Sequence, residues 1–70
     1  MKIAIAIEVH SKHVEDVQVF KTFDEAVASV EDNDHDWDGD AFNNELPAGR
    51  YRSYPLVNGE WHVQEIEVGE

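Results

Sequence analysis

The sequence lacks cysteine, long apolar runs and any abundance of basic residues. Without cysteine, the 70-residue chain has neither disulfides nor thiolate metal ligands, which is typical of a cytoplasmic protein. Its early apolar run, Ile3 to Ile7, is shorter than the core of a signal peptide and far shorter than the ~20 residues of a membrane span. We therefore expect one domain, residues 1–70, with no membrane association and a core near the lower size limit for independent folding.

Basic residues are scarce and unevenly placed. Five Lys and Arg stand against sixteen Asp and Glu, which gives a net charge of −11. None of the five lies between Lys21 and Arg50, whereas that segment contains nine of the acids. Phosphate contacts need clustered Lys and Arg, so we expect no direct binding of nucleic acid. The expected partner is a basic protein surface or a cation.

Alternating apolar residues predict two strands at the start of the chain. Residues 2–9 alternate with period two, and residues 14–20 continue the pattern after a short polar connection. The register that brings the apolar faces together places Ile7 opposite Val17. This pattern predicts an antiparallel hairpin.

A helix is predicted to follow the second strand. Thr22 and Glu25 have the spacing of a helix capping box. Apolar residues then recur at helical spacing and form one stripe, at Phe23, Ala26, Val27 and Val30. Acidic residues at the negative end of the helix dipole predict that the helix ends near Asp32.

The C-terminal third predicts a second hairpin. Two strand-like runs flank Asn58-Gly59, a pair that tolerates positive φ and favours a two-residue turn. That turn would place Tyr54 opposite Val63, with a β-bulge near residues 64–65. The predicted fold is α+β with ββαββ order: a four-stranded, mainly antiparallel sheet with one helix on one face. An acidic loop, residues 31–46, would join the helix to the C-terminal hairpin.

Residues 34–45 have the spacing D-x-D-x-D-G-x5-E of a calcium loop. The segment resembles the loop of the EF-hand family, with Gly39 at the sharp turn. The resemblance implies calcium coordination by oxygen atoms of Asp34, Asp36, Asp38, Asp40 and Glu45. There is no second loop, and Pro47 limits any exiting helix to about one turn. An isolated structural site is therefore expected rather than an opening switch. The fold is expected to require no cofactor, and calcium is the one cofactor that the sequence suggests.

The same acids have a second interpretation, as a binding surface. Alternating residues of an extended segment project to one side at ~6.6 Å intervals, a spacing comparable with that of nucleic-acid phosphates. Trp37 would anchor a Lys or Arg of the partner by a cation–π contact. The predicted partner-binding residues are Glu31, Asp32, Asp34, Asp36, Trp37, Asp38 and Asp40.

Catalytic motifs are not evident in the sequence, and its four histidines are too dispersed to predict a metal or acid–base site. In size and charge the chain resembles the small acidic inhibitor proteins of bacteriophages, including anti-CRISPR and DNA-mimic proteins. The resemblance implies a non-enzymatic inhibitor that occupies a nucleic-acid-binding protein or complex in the host cytoplasm. This interpretation is preferred, the calcium module is the alternative, and the two can coexist. The oligomeric state stays open.

Overall fold

The structure is a computed structural model that describes residues 1–33, 37–46 and 49–69, and it contains one helix packed on a five-stranded antiparallel sheet. The elements in chain order are β1 Lys2–His10, β2 His13–Phe20, α1 Phe23–Asn33, β3 Phe42–Leu46, β4 Gly49–Leu56 and β5 Gly59–Glu67. The strands lie in the order β2-β1-β5-β4-β3. Within the described ranges, no helix is long and apolar enough to cross a membrane.

The predicted four-stranded sheet with ββαββ order is wrong, because β3 is a fifth strand. β3 pairs antiparallel with β4, from Phe42 opposite Ser53 onward. It supplies partners for the backbone groups along that edge of β4, and Arg52 Nη1 adds a hydrogen bond to Asn43 Oδ1 at 3.0 Å. The predicted acidic loop 31–46 is therefore shorter: its first three residues belong to α1 and its last five to β3.

The predicted N-terminal hairpin is confirmed in its register, with Ile7 opposite Val17. A register shift at Glu8/Val9 introduces a bulge into the pairing of β1 with β2. The turn consists of Ser11 and Lys12, whose φ angles are 51° and 69°. A tight hairpin turn of the favoured hand needs positive φ at both central positions, and here two non-glycine residues adopt it.

The predicted helix is also confirmed. α1 begins at Phe23 after Thr22, whose Oγ1 accepts a hydrogen bond from the backbone N of Glu25 at 3.1 Å. It ends at Asn33, one residue beyond the expected end. Phe23, Ala26 and Val30 are buried, so the predicted apolar stripe is the face that contacts the sheet.

The predicted pairing of the C-terminal hairpin is wrong by two residues. Tyr54 lies opposite Trp61, and the turn consists of Val57 and Asn58. Along its described length β5 pairs with β1 without a register shift, so the bulge predicted near residues 64–65 is not formed. Val63 and Ile66 lie on opposite faces of a regular strand, which explains their change of parity. Because the error is an even number of residues, the face assignment of each side chain is unchanged.

Gly59 is required because two strands approach closely, not because of a turn conformation. A Cβ atom at this position would lie 1.9 Å from the carbonyl oxygen of Val9 in β1. The neighbouring turns are also joined, since the backbone N of Ser11 donates to the carbonyl of Asn58 at 3.0 Å. The glycine therefore fixes the contact of β5 with β1 where the two hairpins meet.

The core lies on one face of the sheet, beneath α1. Ala4 and Ala6 of β1 are fully buried there, and their small side chains leave room for the helix and for larger neighbours. The other buried apolar residues of the described part are Phe23, Ala26, Val30, Tyr54, Leu56, Trp61 and Val63. Aromatic residues of β4 and β5 thus supply the volume that the alanines of β1 do not.

The opposite side of the sheet, which we term the open face, is apolar over β1, β2 and the end of β5. Its central residues are Ile3, Ile5, Ile7, Val17, Val19 and Ile66, placed together by the strand registers. Val17 and Val19 are 54% and 64% exposed. Within the described ranges no second layer packs on this face, so its apolar side chains contact solvent.

We expect Gly59→Ala to destabilise the fold strongly. The new methyl group would overlap the Val9 carbonyl, and relief requires that β5 move away from β1. Overpacking of this kind lowers the free energy of unfolding by about 1–3 kcal/mol. We expect a value at the upper end of this range, because the obstacle is backbone rather than a flexible side chain. Urea unfolding followed by circular dichroism measures the change. Gly69→Ala is the matched control, because an added Cβ there meets nothing within 4 Å. Equal stability of the two variants would contradict this account.

Candidate binding site

The described acids of the predicted partner-binding set lie in the last turn of α1 and beside the end of β4. Asp34 and Asp36 lie outside the described residues. Glu31 and Asp32 are in the last turn of α1, whereas Asp38 and Asp40 follow an isolated bridge between Trp37 and Leu56. Asp32, Asp38 and Asp40 are exposed.

Trp37 ties the acidic segment to the core. Its ring packs edge-on against Tyr54, with centroids 3.9 Å apart and planes at 84°. The backbone N of Asp38 donates to the carbonyl of Pro55 at 2.8 Å. Trp37 is therefore half-buried and positions Asp38, and only part of its surface is left for a partner.

Asp40 lies at a depression on the surface, which we term the Asp40 depression. Its volume is about 270 Å³, and its lining residues are Asp40, Phe42, Ser53, Pro55, Glu60 and His62. The side chain of Phe42 is 57% exposed. The depression thus combines two carboxylates with apolar surface from Phe42 and Pro55. Among these six residues the sequence predicted only Asp40 and missed the other five, because β3 has no strong local signal and the signal at Asn58-Gly59 predicted a β4–β5 register that is wrong by two residues.

His62 is held within this depression from both sides. Its Nδ1 is hydrogen-bonded to the hydroxyl of Tyr51 at 2.5 Å, and the two rings are stacked. Its Nε2 lies 3.3 Å from Glu60 Oε1. These contacts fix the imidazole and, with it, the neighbouring carboxylate of Glu60.

Glu31 is engaged by the protein itself. Its Oε2 accepts a hydrogen bond from the hydroxyl of Tyr54 at 2.9 Å and lies 3.7 Å from Arg52 Nη2. Burial raises the pKa of Tyr54, and the hydrogen bond to Glu31 raises it further. The guanidinium carbon of Arg52 also lies 5.2 Å from the centre of the Tyr54 ring. Glu31 therefore joins the helix to β4 and is only partly available to a partner.

Arg50 is likewise neutralised within the protein. Its Nη2 lies 3.5 Å from Glu65 Oε2, and its backbone N donates to Glu65 Oε1 at 3.2 Å. This backbone hydrogen bond is the main cause that lowers the pKa of Glu65, and the Arg50 side chain acts in the same direction. The guanidinium also lies 4.6 Å from the centre of the Phe23 ring and 3.7 Å from Asp24. Both arginines thus serve the fold.

The predicted calcium ligands that the structure describes do not share one loop, because Asp38 and Asp40 precede β3 and Glu45 lies within it. Gly39 has φ +121°, so the chain does turn there in a conformation that favours glycine. Glu45, however, lies in β3 opposite Arg50, where an EF-hand would begin its second helix. Among the described residues no three metal-binding side chains form a group, and Asp34 and Asp36 are not described. Calcium binding stays a prediction.

Comparison with protein-family models, curated proteins and solved structures finds no match for this chain. The assignment of a function therefore depends on the residues of the site. Of the predicted partner-binding residues, Asp32, Asp38 and Asp40 are exposed, whereas Glu31 and Trp37 have contacts within the fold.

We expect Glu65→Gln to reduce stability at neutral pH but not in acid. Because the folded state lowers the pKa of Glu65, its contribution is present above the ordinary pKa of 4.5 and is lost as pH falls through the lowered value. Urea unfolding at a series of pH values measures the difference from wild type. Glu15→Gln, at an exposed position of β2, removes the same charge as a control. A Glu65→Gln deficit that persists unchanged in acid would contradict the assignment.

Proposed function

We propose that the chain is a non-enzymatic binding protein that presents the acids around the Asp40 depression to a basic protein surface. The observation that carries this proposal is the combination of Asp40 and Glu60 with the apolar surface of Phe42 and Pro55. A Lys or Arg side chain has the same two parts, an apolar stem and a charged end. The stem would contact Phe42 and Pro55 while the charge lies between the two carboxylates.

The charge distribution supports the same proposal. Within the described residues, no Lys or Arg nitrogen lies within 4 Å of the carboxylate of Asp38 or Asp40, whereas Arg50 and Arg52 contact Glu65 and Glu31. The chain has a net charge of −11, and its exposed acids at this end of the sheet attract cationic surfaces. Such attraction accelerates association and weakens as salt is added.

The partner class we propose is a protein or complex that itself binds nucleic acid. Such proteins carry dense groups of Lys and Arg that contact phosphates. An acidic protein bound there would compete with DNA or RNA, which agrees with the resemblance to phage inhibitors of the anti-CRISPR and DNA-mimic type. Inhibition would follow from occupancy, without a chemical step.

Reversing the charge of Asp38 and Asp40 tests this proposal. We expect the Asp38→Lys, Asp40→Lys variant to bind the partner roughly 10-fold more weakly at low salt, because two attractive charges become repulsive. Immobilised chain captures proteins from a nuclease-treated bacterial lysate, and mass spectrometry identifies those released by salt. The captured set should be enriched in nucleic-acid-binding proteins.

The matched control is Glu15→Lys, Asp16→Lys, which changes the net charge by the same amount. These residues lie in β2, three strands from β4 in the sheet, or roughly 14 Å away. The control should retain capture. Equal loss in both variants would indicate a nonspecific charge effect, and a captured set without nucleic-acid-binding proteins would refute the partner class.

The alternative that we propose is a calcium module built on residues 34–45. The observation that favours it is the positive φ of Gly39, at the position where the calcium loop needs a sharp turn. The ion would use oxygen atoms of Asp34, Asp36, Asp38, Asp40 and Glu45. An ordered loop would also present Asp38 and Asp40 to a partner, so this function is compatible with the first.

Calcium should then raise the melting temperature. A native-only site filled at ~100 times its Kd gains ~2.7 kcal/mol, which for a domain of this size is roughly 10–20 °C. The Asp34→Asn, Glu45→Gln variant should lose this rise, and Glu15→Gln, Asp16→Asn should keep it. An unchanged melting temperature of wild type in millimolar calcium, measured by circular dichroism, would refute the module.

A further inference from the structure

The Asp40 depression contains one ionisable group that the proposed function does not use, the imidazole of His62. Histidine is the side chain whose charge ordinarily changes between pH 5 and 8, a range in which carboxylates ordinarily stay ionised. The side chain of His62 is 32% exposed, so protons can reach it from the solvent. A change in its charge therefore takes place inside the proposed binding site.

Both ring nitrogens of His62 have neighbours that suit either charge state. Nδ1 is hydrogen-bonded to the hydroxyl of Tyr51, which can donate to the neutral ring or accept from the charged one. Nε2 lies 3.3 Å from Glu60 Oε1, so a proton on this nitrogen is next to a carboxylate in both states. Neither neighbour is lost on protonation, and we expect the ring to take up a proton with the fold intact.

The charged groups on this side of the sheet are few. Glu60 and Asp40 are the carboxylates that share the depression with His62, and Tyr51 is the other ionisable neighbour. The remaining described side chains that face His62 from β1, β3, β4 and β5 are uncharged: Ile7, Phe42, Ser53 and Gln64. Arg52 is on the helix side, because it is opposite the buried Val63. A proton on His62 therefore acts on Glu60 and Asp40 without another cation beside it in the described part of the face.

We propose that protonation of His62 weakens the binding of a basic partner at the Asp40 depression. The inference rests on the proposed function and adds the regulation of the same site. With a neutral ring, the two carboxylates are both available to a Lys or Arg of the partner. A charged ring forms an ion pair with Glu60 and repels the incoming cation. Binding is thus present above the ordinary range of histidine titration and is weakened as pH falls through it.

A titration of the folded chain tests the first step. The ring carbon signals of His62, followed by nuclear magnetic resonance from pH 8 to pH 5, should shift as the ring takes up its proton. The amide signals should keep the dispersion of the folded chain over the same interval. A ring that stays in one charge state throughout, or a chain that unfolds as the ring titrates, would overturn the proposal.

Binding of a fluorescein-labelled oligoarginine peptide tests the second step. Arginine keeps its charge from pH 5.5 to pH 7.5, so the probe itself does not titrate. At constant ionic strength, fluorescence anisotropy should show binding about 3- to 10-fold weaker at pH 5.5, because a positive charge is added inside the depression. Equal affinity at the two pH values would overturn the proposal.

His62→Gln locates the effect, with His10→Gln as its matched control. Each variant removes one histidine that lies beside a glutamate, since His10 Nε2 is 2.6 Å from Glu8 Oε2. His10, however, is on the helix side of the sheet, the side of Ala4 and Ala6. His62→Gln should bind the peptide equally at both pH values, whereas His10→Gln should keep the wild-type difference. Circular dichroism verifies that both variants fold.

A permanent charge at the same position gives an independent check. His62→Lys should bind the peptide weakly at both pH values, because its ammonium group stays charged. A wild-type difference that persists in His62→Gln, or strong binding by His62→Lys at pH 7.5, would overturn the role of His62.

The Asp38→Lys, Asp40→Lys variant separates this inference from the proposed function. If the variant loses the peptide at pH 7.5 but wild type binds equally at both pH values, the binding site stands and its regulation by His62 is overturned. If the variant binds as well as wild type, the proposed site is refuted, and the regulation with it.

Discussion

The single helix has one apolar stripe, and this limits the core to one face of the sheet. α1 offers Phe23, Ala26 and Val30, enough to cover β1 and β5 on one side only. The covered side of β1 has two alanines, so the helix approaches closely and Tyr54 and Trp61 fill the remaining volume. The branched residues of β1 lie on the other side. The structure therefore buries Phe23, Tyr54 and Trp61 and leaves Val17 and Val19 exposed.

Contacts of the central strands fix the positions of both hairpins. β5 lies between β1 and β4, and Gly59 allows it to approach the carbonyl of Val9. That contact determines where β5 begins, which in turn places Tyr54 opposite Trp61. The same register brings Ser53 opposite His62 and so assembles the floor of the Asp40 depression. The candidate site thus depends on a backbone contact that lies outside it.

Local patterns predicted the elements that local interactions form. The capping residue Thr22, the helical stripe and the apolar alternation of β1 and β2 were sufficient for α1 and the first hairpin. β3 was missed because Asn43, Asn44 and Glu45 have weak strand propensity, and pairing with β4 is what stabilises it. The Asn58-Gly59 pair indicated a turn. Its glycine is instead required by the close approach of β1, a strand that is distant in sequence. The sequence predicted Asp38 and Asp40 as exposed acids. It did not predict which apolar side chains lie beside them, because these long-range pairings bring those side chains there.

The two surfaces left by this fold differ in the force that would hold a partner. Arg50 and Arg52 form ion pairs with Glu65 of β5 and Glu31 of α1. The negative potential of the acids near β3 is therefore not neutralised by these two arginines. The β1–β2 part of the open face has no charge at its paired positions and can attract only through loss of water from apolar side chains. Salt weakens the first interaction and not the second, so the two surfaces respond differently to ionic strength although the strand registers place them on the same face of the sheet.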